Sequence, residues 1–311
     1  MKILFTDLDG TLLDDNKDIS AEDMSAVRKM IAAGHKFVMT TGRPLTSVKK
    51  LAGRYGFLEA GFYLVSFNGG LIYDCESQEA ILTRYIPVEE VKAIMDAAHA
   101  CGMHAHTYSG DLVVSEYETE QLKTYCHLMQ MDYVVVKDIR EYYDQFINVS
   151  NKAPVIKQGR LRERVQAGEV APEFGTSGFI NVVIKPPIKV NIITPFDHSS
   201  LESFRAEMRK TTAGKLFDVF SKPEMLEFSH MKSNKGDAVR FMADFYRVPM
   251  ADTIAVGDEE NDCPMIEAAG IGVAMANASP VVRNVADYVT ERDNNHSGIA
   301  EVIEKFVFNG K

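Results

Sequence analysis

Asp7 and Asp9 stand two residues apart in the run Asp7-Leu8-Asp9-Gly10-Thr11, directly after the apolar Ile3-Leu4-Phe5. Alternation along an extended chain puts both carboxylates on one side of a strand end. Held together they repel, and a divalent cation beside them or a raised pKa on one of them relieves that repulsion. Either outcome serves catalysis. Taken alone, the segment also reads as a polar turn in which Gly10 ends a strand.

Three further stretches carry comparable chemistry. Thr41-Gly42-Arg43 precedes Pro44 and a helix-like pattern, so a hydroxyl, a glycine that lets backbone come close and a helix N-terminus make an anion site. A helix cap followed by proline near the first turn is the structural alternative there. Lys235-Gly236 opens a helix whose apolar face is Ala238, Val239, Met242 and Phe245. A cation in a first turn opposes the helix macrodipole unless an anion binds beside it. A solvated surface lysine is the alternative, and Lys232 is read that way. Gly257-Asp258-Glu259-Glu260-Asn261-Asp262 supplies hard oxygen ligands of the kind magnesium takes. It would also serve as an acidic helix start.

These stretches all fall where strands end. Ile3 to Phe5, Lys36 to Thr40 and Tyr63 to Ser66 read as strands, with a helix capped by Ser20 and striped by Met24, Val27, Met30 and Ile31 between the first two. That is a βαβαβ pattern and predicts a parallel sheet, whose ligands lie at the carboxyl ends of its strands. The pattern resumes at Thr253 to Val256, Asp262 to Ala269 and Ile271 to Ala274. Between the halves the texture changes to segments such as Met103 to Tyr108 and Leu112 to Val114, with a helix at Val88 to Cys101. The fold class expected is α/β, a Rossmann-like parallel sheet core over residues 1–82 and 231–311, with an inserted α+β domain over 83–230. Residues about 150 to 187 are broken by Pro154, Pro172, Pro186 and Pro187 and read as an enlarged loop region.

With 311 residues the chain is long enough for two domains. A hydrophobic share of 46% and a charged share of 25% are those of an ordinary globular protein. A net charge of -10 gives no basic field, which argues against nucleic acid and anionic membranes as partners. No signal-peptide core or membrane span is evident, and Cys75, Cys101, Cys126 and Cys263 show no spacing for zinc or a disulfide framework. The cytoplasm is the simplest compartment.

In order along the chain, the paired-Asp, Thr-Gly-Arg, Lys-Gly and Gly-Asp-Glu-Glu-Asn-Asp stretches resemble the four motifs of the haloacid dehalogenase superfamily, in the form of its Cof-type phosphatases. The resemblance implies that Asp7 is a nucleophile that becomes phosphorylated and that Asp9 protonates the leaving oxygen and then activates water. It implies that Thr41, Gly42, Lys235 and Asn261 bind phosphate, and that Asp7, Asp9 (through its backbone carbonyl), Asp258 and Asp262 make a magnesium site. The inserted domain would be a mobile cap that selects a small phosphorylated metabolite. The activity implied is phosphomonoester hydrolysis, with a phosphosugar mutase or a non-catalytic metabolite-binding regulator as alternatives. A dehalogenase has no need of the second aspartate.

His104 and His106 alternate along a strand and face one side, as a metal pair, a substrate contact or exposed positions. Two ligands alone make no metal site. Tyr142 and Tyr143 read as packing and surface. Arg43 suits a second substrate group or a surface salt bridge, and Glu227 is undecided.

Overall fold

The computed structural model describes residues 1–147, 152–154, 157–158, 181–183, 185–194 and 198–309. Contacts divide the chain into two compact units, Met1–Thr83 with Lys232–Lys311, and Arg84–Met231.

The first unit opens with β1 (Ile3–Thr6), β2 (Lys36–Thr40), β3 (Phe62–Ser66), β4 (Leu71–Asp74) and β5 (Glu79–Thr83), with helices Ala21–Ala32 and Leu45–Arg54 between the first three strands. β1 is fully buried on both faces, as its unbroken apolar run requires in a parallel sheet. Helix Ala21–Ala32 starts where predicted: Ser20 Oγ accepts the Asp23 N–H at 3.0 Å. The Asp23 side chain is itself buried and accepts the Ala300 N–H at 2.7 Å.

The second unit contains β6 (His104–Ser109), β7 (Leu112–Ser115), β8 (Asp132–Val135), β9 (Lys152–Pro154), β10 (Lys157–Gln158), β11 (Asn181–Val183), β12 (Lys189–Ile193), β13 (Leu216–Lys222) and β14 (Met225–His230). Its main sheet runs β10-β8-β7-β6-β12-β14-β13. Helices Val88–Ala100, Ile139–Ile147 and His198–Thr211 supply Ile94, Tyr143 and Phe204 to a core that also takes in Ala105, Val114, Val190 and Phe228 from the sheet. Much of the stretch 150 to 187, read as a loop region, lies outside the described residues. Inside it, β9 and β11 pair antiparallel and β10 pairs with β8, so those parts are strand, not loop. The pairing is between segments far apart in sequence, which local proline content does not reveal.

The chain then returns to the first unit with helix Lys235–Tyr246, β15 (Thr253–Gly257), helix Cys263–Ala268, β16 (Ile271–Ala274) and β17 (Tyr288–Val289). The first unit's sheet has the order β17-β16-β15-β1-β2-β3-β4-β5. Strands β1, β2, β3, β15, β16 and β17 are mutually parallel, whereas β4 and β5 extend the sheet as an antiparallel hairpin that the periodicity does not foretell. From β1 the chain winds to β2 and β3 on one side and returns through β15 on the other. The crevice beyond the carboxyl ends of β1 and β15 is therefore the switch point where open α/β sheets bind ligands.

Candidate active site

Asp7 leaves β1 at that switch point, its N–H donating to Val256 O at 3.0 Å. Gly10 takes φ +82°, and a Cβ there would collide with Asp258 Oδ2. The turn thus needs glycine for its conformation and for the close approach of the second acidic loop. Asp258 is held in turn by Thr11, whose hydroxyl donates to Oδ1 at 2.7 Å.

Lys235 is fully buried, not a surface lysine. Asn234 caps its helix by accepting the Asp237 N–H at 2.8 Å, which sends Lys235 inward from the first turn. Its Nζ donates to Asp7 Oδ1 at 2.5 Å and to Asp262 Oδ1 at 2.5 Å. The other Asp262 oxygen, Oδ2, accepts the N–H groups of Asp258 at 3.0 Å and Glu259 at 3.1 Å. Both Asp262 oxygens are therefore engaged by the protein. Ligand oxygens of Asp7, Asp258 and Asp262 lie within 4.8 Å of one another, the one such His/Cys/Asp/Glu group among the described residues that could hold a metal ion.

The electrostatics follow from burial. Desolvation pushes Asp7 well above its ordinary value, Lys235 pulls it back, and Asp262 and Asp258 push it up again. Burial first and Asp262 next push Asp258 up to about 7, against Thr11 and Lys235. Burial also works against the charge of Lys235, and Asp262 and Asp7 outweigh it, so the ammonium persists. Three carboxylates face one ammonium, and full ionisation would leave two negative charges unbalanced in a buried cluster, which is why Asp7 and Asp258 hold their protons more tightly than free carboxyls. Asp7, Asp258 and Asp262 are a hard-oxygen donor set that could hold a divalent cation, with Lys235 bonded to one oxygen each of Asp7 and Asp262.

Asp9 sits apart from this cluster in hydrogen bonding. Arg43 grips it with two bonds, Nε to Oδ2 at 2.7 Å and Nη2 to Oδ1 at 2.6 Å, and Lys17 Nζ adds a third to Oδ1 at 2.9 Å. Burial opposes ionisation, but the Arg43 bonds and charge, with those of Lys17, hold the carboxyl down at about 2. Arg43 therefore pairs with a site carboxylate.

Thr41 is buried at the end of β2, its N–H donating to Val65 O at 2.9 Å and its hydroxyl accepting the Arg43 N–H at 3.2 Å. Gly42 lies under Asn68, whose Oδ1 would stand 3.0 Å from a Cβ at that position. Asn261 donates from Nδ2 to the same Oδ1 at 3.2 Å. Thr41, Gly42 and Asn261 are thus linked through Asn68. Thr11, Lys17 and Asn68 were not anticipated as site residues; the signal for Asn68 was its place before Gly69, directly after a strand.

The remaining candidates resolve within the second unit. His106 is buried with Nε2 3.0 Å from Asn191 Nδ2, and burial, with Lys189, lowers its pKa to about 3. His104 stacks on Tyr117 at 4.7 Å between ring centroids. Tyr142 and Tyr143 are both buried, so neither is a surface residue. Glu227 is buried against Lys189, Nζ to Oε1 at 3.0 Å.

The chain belongs to the haloacid dehalogenase-like hydrolases, a family that matches residues 4–303. Among its relatives, the phosphatase YwpJ of Bacillus subtilis is 27% identical over 98% of this chain and 99% of its own. The 5-amino-6-(5-phospho-D-ribitylamino)uracil phosphatase YwtE of the same organism is 27% identical over 99% of this chain and 98% of its own. A haloacid dehalogenase-like hydrolase of Bacteroides thetaiotaomicron superposes with a TM-score of 0.74 at 26% identity, covering 98% of this chain and 99% of that one. No helix among the described residues is long and apolar enough to cross a membrane.

Proposed function

We propose that the protein is a magnesium-dependent phosphomonoester hydrolase that acts on small phosphorylated metabolites, sugar phosphates or similar, through an aspartyl phosphate on Asp7. The observation that carries this reading is the buried cluster of Asp7, Asp258 and Asp262 around Lys235, with the excess of two negative charges that full ionisation gives it. Magnesium, when bound, neutralises that excess and the charge of the phosphoryl oxygens. Relatives named as phosphatases over nearly their whole length support the same chemistry.

In this reading Lys235, Thr41, Gly42 and Asn261 bind the phosphoryl oxygens and set the phosphorus in line with Asp7. An Asp7 oxygen bonds to phosphorus as the ester P–O bond breaks, and the leaving oxygen takes a proton from Asp9, which must first gain it from solvent against the hold of Arg43 and Lys17. Water then attacks the same phosphorus and gives its proton to Asp9, and the bond from Asp7 to phosphorus breaks to release phosphate. Dividing hydrolysis in this way replaces one difficult step with two easier ones. Asp262 keeps Lys235 in place. The second unit, Arg84–Met231, has the part of a cap that selects the organic half of the substrate. Free thiols at Cys75, Cys101, Cys126 and Cys263 suit a reducing compartment such as the cytoplasm.

The test is phosphate release from a panel of phosphorylated metabolites with magnesium and after exhaustive chelation. Release that depends on magnesium supports the reading. An isomerised phosphosugar without free phosphate would establish a mutase, and no turnover of any panel member would leave a binding protein.

A further inference from the structure

Between β3 and β4 the chain makes a turn whose backbone is unusually costly. Phe67 has φ +52° and Asn68 φ +54°, both left-handed, and both side chains are buried. Asparagine tolerates that region, but a bulky aromatic does so rarely, and such strain persists only where surrounding contacts over-determine it. Those contacts reach three separate pieces of the site. Phe67 N–H donates to Arg43 O at 3.1 Å and Asn68 N–H to Thr41 O at 3.0 Å, so the turn grips both ends of the Thr41-Gly42-Arg43 loop. A side chain at Gly69 would run into the carbonyl oxygen of Asn234, the cap of the Lys235 helix. Asn68 Oδ1 accepts the Nδ2 proton of Asn261 at 3.2 Å.

We propose that Asn68 is a positioning residue for phosphate binding, its side-chain carbonyl orienting the Asn261 amide and its left-handed backbone, next to the strained Phe67, fixing the Thr41-Gly42-Arg43 loop. A primary amide has two N–H groups in one plane, so engaging one of them fixes the direction of the other. With one Asn261 proton held by Asn68, the second is aimed without cost at the moment an anion binds. This inference rests on the phosphate-binding role of Thr41, Gly42, Lys235 and Asn261 proposed above.

The experiment measures inorganic phosphate binding by calorimetry in the presence of magnesium, which requires no turnover. Asn68→Gly removes the amide while keeping a residue at ease at positive φ. It is expected to weaken phosphate binding about tenfold, and Asn68→Gly with Asn261→Ala to be no weaker than Asn261→Ala alone, because coupled residues are not additive. Unchanged affinity in Asn68→Gly, or a double variant that loses the product of the two single losses, overturns the proposal. Asn68→Asp keeps the acceptor and adds a titrating charge beside the anion. Its affinity relative to wild type should fall at neutral pH and recover in acid, and a pH-independent ratio overturns the proposal as well. A wild type that binds phosphate but hydrolyses no panel member defeats the hydrolase reading alone, and a wild type that binds none defeats the phosphate-site assignment and this inference together.

Discussion

Asp7 and Asp9, separated by Leu8 alone, have carboxyls displaced in opposite directions: burial, opposed by Lys235 and reinforced by Asp262 and Asp258, drives Asp7 up, while Arg43 and Lys17 overcome burial to hold Asp9 at about 2. Identical side chains at one strand end thus sit in opposite electrostatic settings, and these run against the roles proposed for them: attack by Asp7 requires loss of the proton that burial favours, and protonation of a leaving oxygen by Asp9 requires the carboxyl to gain a proton against Arg43 and Lys17.

Asp7→Asn removes the attacking carboxylate and is expected to abolish both turnover and the covalent phosphoenzyme. Asp9→Asn should slow alkyl phosphates far more than an aryl phosphate, whose leaving group needs little protonation. With the aryl substrate it should accumulate phosphate on Asp7, seen by mass spectrometry as an acid-stable, base-labile adduct. An adduct on Asp9, or an undiminished one in Asp7→Asn, reverses the two roles.

Arg43 sets the proton affinity of Asp9. In Arg43→Gln the carboxyl loses two of its three charge-assisted bonds and should titrate well above its wild-type value of about 2. The check is the Asp9 carboxyl midpoint by carbon NMR. An unmoved midpoint would show that Lys17 alone suffices.

Magnesium should raise the thermal midpoint, because an ion that binds only the folded protein stabilises it by mass action. Asp258, pushed up to about 7 chiefly by burial, holds a proton in mildly acidic solution. The shift should therefore shrink below neutral pH, and Asp258→Asn should largely remove it. An equal shift in Asp258→Asn would place the ion elsewhere.

Asp23 gives stability a pH dependence unrelated to catalysis. Burial raises its pKa from 3.8 to about 6 in spite of the Ala300 and Ser20 hydrogen bonds. A carboxyl whose folded pKa lies above its unfolded one contributes stability that is full below the unfolded value and is lost as pH rises through the folded value. Wild type should therefore lose about 1–3 kcal/mol relative to Asp23→Asn across that window, read from urea midpoints at successive pH values. Parallel pH curves for the two proteins would refute it.

Gly10 and Gly34 separate two costs of adding a side chain. Both have positive φ, +82° and +83°, but a Cβ at Gly34 meets nothing within 4 Å whereas one at Gly10 strikes Asp258. Gly34→Ala should lose only about 1 kcal/mol with turnover intact. Gly10→Ala should lose turnover by orders of magnitude through displacement of the acidic loop, measured under conditions where both variants remain folded.

The periodicity of residues 1 to 70 and of the segment after Lys235 was enough to read a parallel sheet with helices between its strands, because burial on both faces of a strand and one face of a helix is written in local spacing. The Ser20 cap and the four chemically loaded strand and helix ends were legible for the same reason. Which oxygen touches which nitrogen was not. Lys235 and Asp7 are 228 residues apart, and only the placement of the Lys235 helix against the β1 and β15 switch point turned a first-turn lysine into a buried ammonium between two carboxylates. The pairing of Arg43 with Asp9 and the turn at Asn68 likewise depend on neighbours distant in sequence, whereas β4 and β5 extend the sheet through local hairpins that the periodicity does not distinguish from a continued parallel sheet. Residue types and spacing determined the chemical inventory; burial and long-range contact, which set pKa and direction, were decided by the tertiary fold alone.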